Sequence, residues 1–547
     1  MTFAIKLPKR LRRAPNRFRP RLEMLEDRTV PSTFKVTNGL DSGPGSLRQA
    51  VLDANAAAGA DTIVFNKSVH GITLTTGELA ITDDVAIQGP GYRQLSISGN
   101  NTSRIFDITS GSVSLSGLTI AQGRADKNAA NLQGVGGGIL NEGSLTLTDV
   151  ALTNNRAVGD ASVSISAGGY TLNGDGLGGG IFNLGTLAIT GSRFEHNRAV
   201  GGDNTQAPAP DAVVYPGMAL GGAIDNLTGS ATIVDSLFND NLAQGGNTNS
   251  GEFAGLGGGG AIYNDTALTV SGSVFRGNAA IGGNGNVGLI HTGHGVGGAI
   301  FSGSVASLFG LRTASLNVSD STFAHNKARG GDGNQTFLPL DFLAPVDGPD
   351  NGTGGAILVY QGTATITGSR LTHNIAQAGA GGAAQKGSLA EGGGVFILNY
   401  IGGVTASITN SRIDHNAAIG GAGVNGGNGG DAIAGGVGIG GLGAFFGAPG
   451  TLTVTGTTID HNRVRGGNGD GAGVGGNAHG GGLFIDSDST VHLIASLIVK
   501  NRAKGGAGST PGEGIGGGVY NLGSFLPDAA SLIFGNHAST SNDDVCP

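Results

Sequence analysis

From about residue 126 onward, short apolar stretches alternate position by position with small or polar residues, and the same run keeps returning. One full copy is Gly179-Gly180-Ile181-Phe182-Asn183-Leu184-Gly185-Thr186-Leu187-Ala188-Ile189-Thr190-Gly191-Ser192-Arg193-Phe194-Glu195-His196-Asn197. Its period of two predicts strands with one buried face, at 181–183, 187–190 and 193–195. Gly and Asn stand between them, where a tight corner takes the backbone to positive φ. No stretch of the repeat holds helical spacing over ten residues.

The closing Asn recurs as Asn155, Asn197, Asn241, Asn278, Asn326, Asn374, Asn416, Asn462, Asn501 and Asn536, at intervals of 35 to 48 residues. A fixed phrase at a near-fixed period marks a repeat protein, and one such turn cannot bury its own apolar face. The expectation is an all-β fold: a single right-handed parallel β-helix, the hand following the rule for parallel crossovers. Ile139, Ile181, Ile224, Ile262, Ile300 and Ile357 then form one interior column, and Phe194, Phe238, Phe275 and Phe323 another. Asn141, Asn183, Asn226, Asn264, Asn399 and Asn521 form a second Asn column beside the closing set. Stacked amides of this kind hydrogen-bond along the ladder, so both sets read as structural.

The phrase uses about half of each repeat. The rest is Gly-rich: 158–178, 201–220, 282–296, 330–353, 420–440, 466–479 and 505–515. These stretches are expected to be loops thrown out from one corner, with a second degenerate coil as the alternative and 161–165 as its one strand candidate. Residues 33–125 read as an N-terminal cap with the first coils, and 126–547 as the repeat body. The cap holds one amphipathic helix, with Ser46 as N-cap and Leu47, Ala50, Val51 and Ala54 on its apolar side. Strands are expected at 62–65, 72–75, 85–88, 95–97, 105–108 and 113–120.

Residues 1–32 differ in kind: nine Lys or Arg face three Asp or Glu, while the chain as a whole carries −8. No apolar segment follows, so this is not an ordinary secretory signal. An acidic body without a basic recognition helix argues against nucleic acid as a partner. Gly makes up 107 of 547 residues without a three-residue period, which excludes collagen. The single Cys546 permits no internal disulfide, and no apolar run is long enough to span a bilayer.

Two resemblances add to this reading. Residues 17–32, Arg17-Phe18-Arg19-Pro20-Arg21-Leu22-Glu23-Met24-Leu25-Glu26-Asp27-Arg28-Thr29-Val30-Pro31-Ser32, resemble a leader of surface or exported proteins of planctomycete bacteria, which implies export. Residues 33–65 resemble the start of many bacterial β-helix proteins. Gly221-Gly222-Ala223-Ile224 with Phe238 and Asn241, and Gly259-Gly260-Ala261-Ile262 with Phe275 and Asn278, are similar to the repeats of polymorphic outer membrane proteins. So is Gly297-Gly298-Ala299-Ile300 with Phe323 and Asn326. That resemblance implies a surface-exposed, adhesin-like passenger. It does not carry over the family's membrane barrel, since coils are expected almost to residue 547.

Candidate chemistry is sparse. His196, His325, His373, His415 and His461 each precede the closing Asn, so imidazoles on adjacent coils would lie about 4.8 Å apart. Without a carboxylate expected at that corner, they read as exposed turn residues rather than a metal site. Arg463, Arg465, Lys500, Arg502 and Lys504 form a basic patch, a candidate for an acidic polysaccharide. Residues 426–434 match one nonapeptide calcium repeat, which makes Asp431 the one candidate ligand and calcium the one candidate ion. Asp225, Asp235, Asp240 and Asp265 are the carboxylates a glycosidase or lyase would draw on, without a convincing adjacent-coil pair. Zero Trp and seven Tyr leave few rings for a sugar platform. The leading expectation is a non-enzymatic, extracellular or cell-surface rod that presents Gly-rich loops to an envelope polysaccharide or another surface protein. A carbohydrate-active enzyme is the alternative, and a calcium-stiffened matrix protein a third reading.

Overall fold

The computed structural model describes residues 31–126, 134–161, 172–206, 215–251, 254–288, 292–304, 313–336, 351–381, 386–399, 403–441 and 449–547. The leader up to residue 30, and all but the first residue of 161–165, lie outside them. Among the described residues there is one helix, α1 (Leu47–Ala56); everything else regular is strand.

The chain winds through five sheets per coil. In one coil these are sheet I (Ile181–Asn183), sheet II (Thr186–Thr190), sheet III (Arg193–Glu195) and sheet IV (Arg198–Val200), followed by sheet V (Ala219–Leu220), which leads into the next coil. The sheets hold 13, 14, 13, 11 and 10 strands, and every pairing is parallel with the equivalent strand of the neighbouring coil. Ile139, Ile181, Ile224, Ile262, Ile300 and Ile357 are direct partners in succession, so each repeat is one coil of a parallel β-helix.

Sheets I to III enclose the main core, where alternation sends Leu187 and Ile189 inward. Phe194, Phe238, Phe275 and Phe323 stack there at 4.7, 4.6 and 4.7 Å, with ring planes within 5°. α1 packs on Thr33–Val36, Asp61–Phe65 and Leu79–Ile81 at the N-terminal end. Ser46 caps it by accepting a hydrogen bond from Gln49 N, and Leu47, Ala50, Val51 and Ala54 are buried. The strand expected at 113–120 is two, Ser112–Ser116 and Thr119–Ala121, because Gly117 turns a corner at φ 58°.

The closing asparagines are buried and form a continuous ladder. Asn326 Oδ1 accepts from Asn278 N at 3.1 Å and Asn278 Nδ2 at 2.9 Å, while Asn326 Nδ2 donates to Asn374 Oδ1 at 2.9 Å and to Phe275 O at 3.0 Å. The pattern holds from Asn155 to Asn501, and Asn536 closes it against Asp544 Oδ1. The second column is shorter than expected. Asn141, Asn183, Asn226 and Asn264 are linked and end on Ser302. The register then runs through Val359, Ile397, Ile439 and Ile485 to Asn521, and Asn399 lies two residues out of line, donating to Asp488. A ladder the sequence reading missed joins Ser192, Ser236, Ser273, Ser321, Ser369 and Ser411, each hydroxyl accepting the preceding coil's backbone N–H.

The Gly-rich remainders enter at one corner, as expected, but their described parts are built into the stack. Sheets IV and V face each other through Ala199, Ala219 and Ala243 and, further along, Ala390, Ala418 and Ala432. The outward residues of sheet I, such as Phe182, Tyr263 and Phe301, meet Leu177, Leu220 and Val296 of sheet V in a second apolar compartment. The Gly-Gly pair follows from this geometry. Gly178 has φ 62°, and a Cβ on Gly179 would collide with the backbone of Gly222. Gly180 occupies the position filled by Ala223 one coil later.

Asn326→Ala would strand two donors of Asn278 and the carbonyl of Phe275. At about 1–3 kcal/mol per buried orphan, a loss of about 3 kcal/mol or more is expected, read from chemical denaturation with local hydrogen exchange. A change under about 0.5 kcal/mol would remove the ladder's claim. For the glycine pair, Gly179→Ala should abolish soluble expression, while Gly180→Ala should melt within a few degrees of the parent by circular dichroism.

Candidate functional site

The side chains named from sequence sort by where each coil places them. The ladder asparagines Asn155, Asn197, Asn241, Asn278, Asn326, Asn374, Asn416, Asn462 and Asn501 are at most 1% exposed and face the interior. Asp225 and Asp265 are buried under sheet V's compartment rather than on the surface. Burial and then the neighbouring Asp265 push the Asp225 carboxyl well above its ordinary value. Asp235 and Asp240 lie at corners with φ 49° and 52°. Asp431 Oδ2 accepts from Lys386 Nζ at 2.7 Å and its Oδ1 from Asn477 N at 2.7 Å. Among the described residues no three His, Cys, Asp or Glu side chains converge as metal ligands.

The basic residues come together on the outer face of sheet IV. Arg463 pairs in register with Arg502, and Arg465 with Lys504. All four are exposed, because Val464 and Ala503 between them turn inward. Lys500 stands at the corner before this sheet with φ 57°. Among the described residues none of the five makes an ion pair within 4 Å; Arg465 Nη2 donates to Asn468 Oδ1 at 3.1 Å.

The same corner carries the imidazoles. His325, His373, His415 and His461 have φ of 53–57° and stack at 5.1, 4.9 and 4.9 Å, and Lys500 continues their column. Parallel rings aim their nitrogens in one direction rather than at a shared point between them. The expectation that no carboxylate reaches this corner is overturned. Asp414 and Asp460 on sheet III sit beside His415 and His461, and His461 Nδ1 is 2.8 Å from Asp460 Oδ2. Arg370 and Arg412 both bond to Asp414 Oδ2, at 2.8 and 2.9 Å, and Arg412 reaches Asp460 at 2.8 Å. Burial alone raises the Asp414 pKa. Hydrogen bonding from Thr372 and the charges of Arg370 and Arg412 outweigh it and hold the carboxyl below its ordinary value. The signal was present in the strings Arg412-Ile413-Asp414-His415-Asn416 and Thr458-Ile459-Asp460-His461-Asn462, whose period-two spacing puts Asp and Arg on one outer face.

Beside sheet IV an open groove of about 390 Å³ runs across four coils. Arg329 and Asp332, paired at 2.5 Å, close one end, and Arg465 and Asn468 the other. Gln377 and Ile419 line the middle, over a floor that includes Ala378 and Gly420.

No family model matches the chain, and no curated protein matches it. Among solved structures, the catalytic unit of the thermostable GH87 α-1,3-glucanase from Streptomyces thermodiastaticus strain HF3-3 aligns at 13% identity and TM-score 0.37, over 93% of this chain and 70% of that one. Tailspike protein 3 of bacteriophage CBA120 aligns at 12% and 0.35, over 92% of this chain and 60% of that one. A PL6 family alginate lyase aligns at 10% and 0.18, over 94% and 100%. Values this low lend no weight to an activity. The strand pairing itself defines the class, a parallel β-helix repeat protein. Among the described residues no helix is long and apolar enough to cross a membrane.

Because Asp414 is held below its ordinary 3.8 when folded, its cluster stabilises fully above that value, and the contribution is lost as pH falls through the depressed folded value. Wild type should therefore lose more stability than Asp414→Asn between pH 5 and the acid end of an unfolding series. Parallel pH profiles for the two proteins would show that the carboxylate is not ionised in the way described.

Proposed function

We propose that this chain is an exported, non-enzymatic surface rod that holds an acidic polysaccharide of the cell envelope or matrix along the outer face of sheet IV. The observation that carries the reading is the in-register stack of Arg463 on Arg502 and of Arg465 on Lys504. Each coil advances about 4.8 Å along the axis, so a polymer lying parallel to the rod meets paired cations on two successive coils. The groove ending at Arg465 leads from this patch across further coils, past Ile419 and Gln377, to Arg329.

The placement of the acids supports a binding role over hydrolysis. A hydrolase needs two carboxyls converging on one accessible bond. Asp225 and Asp265 are 0% and 2% exposed, and Asp414 and Asp460 are taken up by arginines. The resemblance of residues 17–32 to a leader of exported proteins supports export.

Purified protein should bind immobilised polygalacturonate, weaken as sodium chloride rises, and ignore neutral dextran. Arg463→Ala with Arg502→Ala should weaken binding about tenfold, about 1.4 kcal/mol. Salt-independent binding, or a double variant that binds like the parent, would overturn the assignment to sheet IV. Release of soluble sugar from the polymer would overturn the non-enzymatic part.

A further inference from the structure

The outer face of sheet II has a composition unlike the rest of the surface. Nine consecutive coils, from Ser112–Ser116 to Gly450–Thr455, each present three outward positions to solvent. Of these 27 positions all but four are Ser or Thr; the exceptions are Ala188, Val234, Ala267 and Asn317. None is charged and none is aromatic, in a chain where 13% of residues are charged. The inward partners are the Leu, Ile, Val and Ala of the main core, so the alternation fixes which side each hydroxyl takes.

The positions also form a lattice. Ser144, Thr186, Ser230, Ala267, Ser315 and Thr363 are direct register partners, and the other two columns follow the same pairings. Columns are about 6.7 Å apart along the strand, since two residues rise about 3.3–3.4 Å each. Coils are 4.6–4.7 Å apart by the stacked Phe rings. With the strands in direct register from coil to coil, the face is a regular grid of hydroxyls and methyls.

A surface of this kind discriminates among ligands. It offers no charge to an anion or a mineral, no ring for a sugar to stack on, and no walls for a single glycan chain. It matches a ligand that is itself a lattice of hydroxyl-sized donors and acceptors. The two repeats of the grid are close to those of the oxygen atoms on the prism face of ice. We propose that the outer face of sheet II binds ice: its hydroxyls order water at lattice spacing, and many weak contacts add up across the coils. This face is separate from the basic face of sheet IV, and neither reading rests on the other.

The test uses the full chain, with partition into a slowly growing ice hemisphere and inhibition of ice recrystallisation as readouts. Wild type should enter the ice and keep its grains small. Thr269→Lys with Thr365→Lys, both at exposed central positions, should lose both effects while keeping the parent's circular dichroism and polygalacturonate binding. Arg463→Ala with Arg502→Ala should keep both ice effects. Exclusion of the wild type from ice overturns the proposal. So does ice binding that survives the lysine pair, and so does retention on insoluble neutral glucan without any effect on ice.

Discussion

Every feature of this rod depends on one coil sitting on the next in direct register. Parallel strands left to themselves twist. Here the closing Asn amide must reach both the backbone N–H and the side chain of its neighbour, and it does so at 2.9–3.1 Å along the whole ladder. A twist of the ordinary size would pull one of those two bonds out of range. Because each amide is buried, the cost of breaking either falls on an orphaned polar group. The Ser ladder imposes the same condition at the corner between sheets II and III. The two ladders together limit how far one coil can rotate on the next.

That constraint explains which residues stand at the corners. Positive φ costs an L-residue about 1–2 kcal/mol, so Gly is the default there. Yet Asp235, Asp320 and Asn410 occupy the corner between sheets II and III with φ of 48–49°. Each is followed one coil later by Gly272, Gly368 or Gly456, and the acid or amide oxygen lies where that glycine's Cβ would be. At these three levels the polar side chain takes the space that a Cβ on the next coil would need. At the next corner the His rings lie flat on one another, so consecutive coils can all carry one.

This division also marks how far the sequence could be read. The Ile column, the Phe column and the closing Asn ladder were legible because period two and a fixed interval place them uniquely. The helix was legible from Ser46 and its apolar side. Strands of two residues, such as Gly257–Gly258, were not, because two residues carry no periodicity. Their evidence lies in packing: glycines with no space for a Cβ, facing an alanine column. Asn399 was misplaced because motif spacing cannot register a two-residue offset. At the surface, the arginines of sheet IV were legible as a patch. The Asp414 and Asp460 array was not, since it depends on which outward residues of different coils touch.

A rod built by translation has an electrostatic consequence. Any charge repeated at one position stacks on its own kind about 4.8 Å away, a repulsion of nearly 1 kcal/mol per contact even in water. Arg156 shows it: burial, then Arg124 and Arg198 on either side, lower its pKa. The chain answers this in three ways. Inside, burial disfavours the charge itself and pushes the carboxyls of Asp175 and Asp225 well above their ordinary value. On sheet III it interleaves signs, with Arg370 and Arg412 against Asp414 and Asp460. On the outer face of sheet II it dispenses with charge. Stacked cations with no carboxylate among the described residues within ion-pair distance stand at two places, Arg156 on Arg198 and the larger group Arg463, Arg465, Lys500, Arg502 and Lys504. An uncompensated stack on a rod of net charge −8 is the place where an external polyanion relieves the most repulsion.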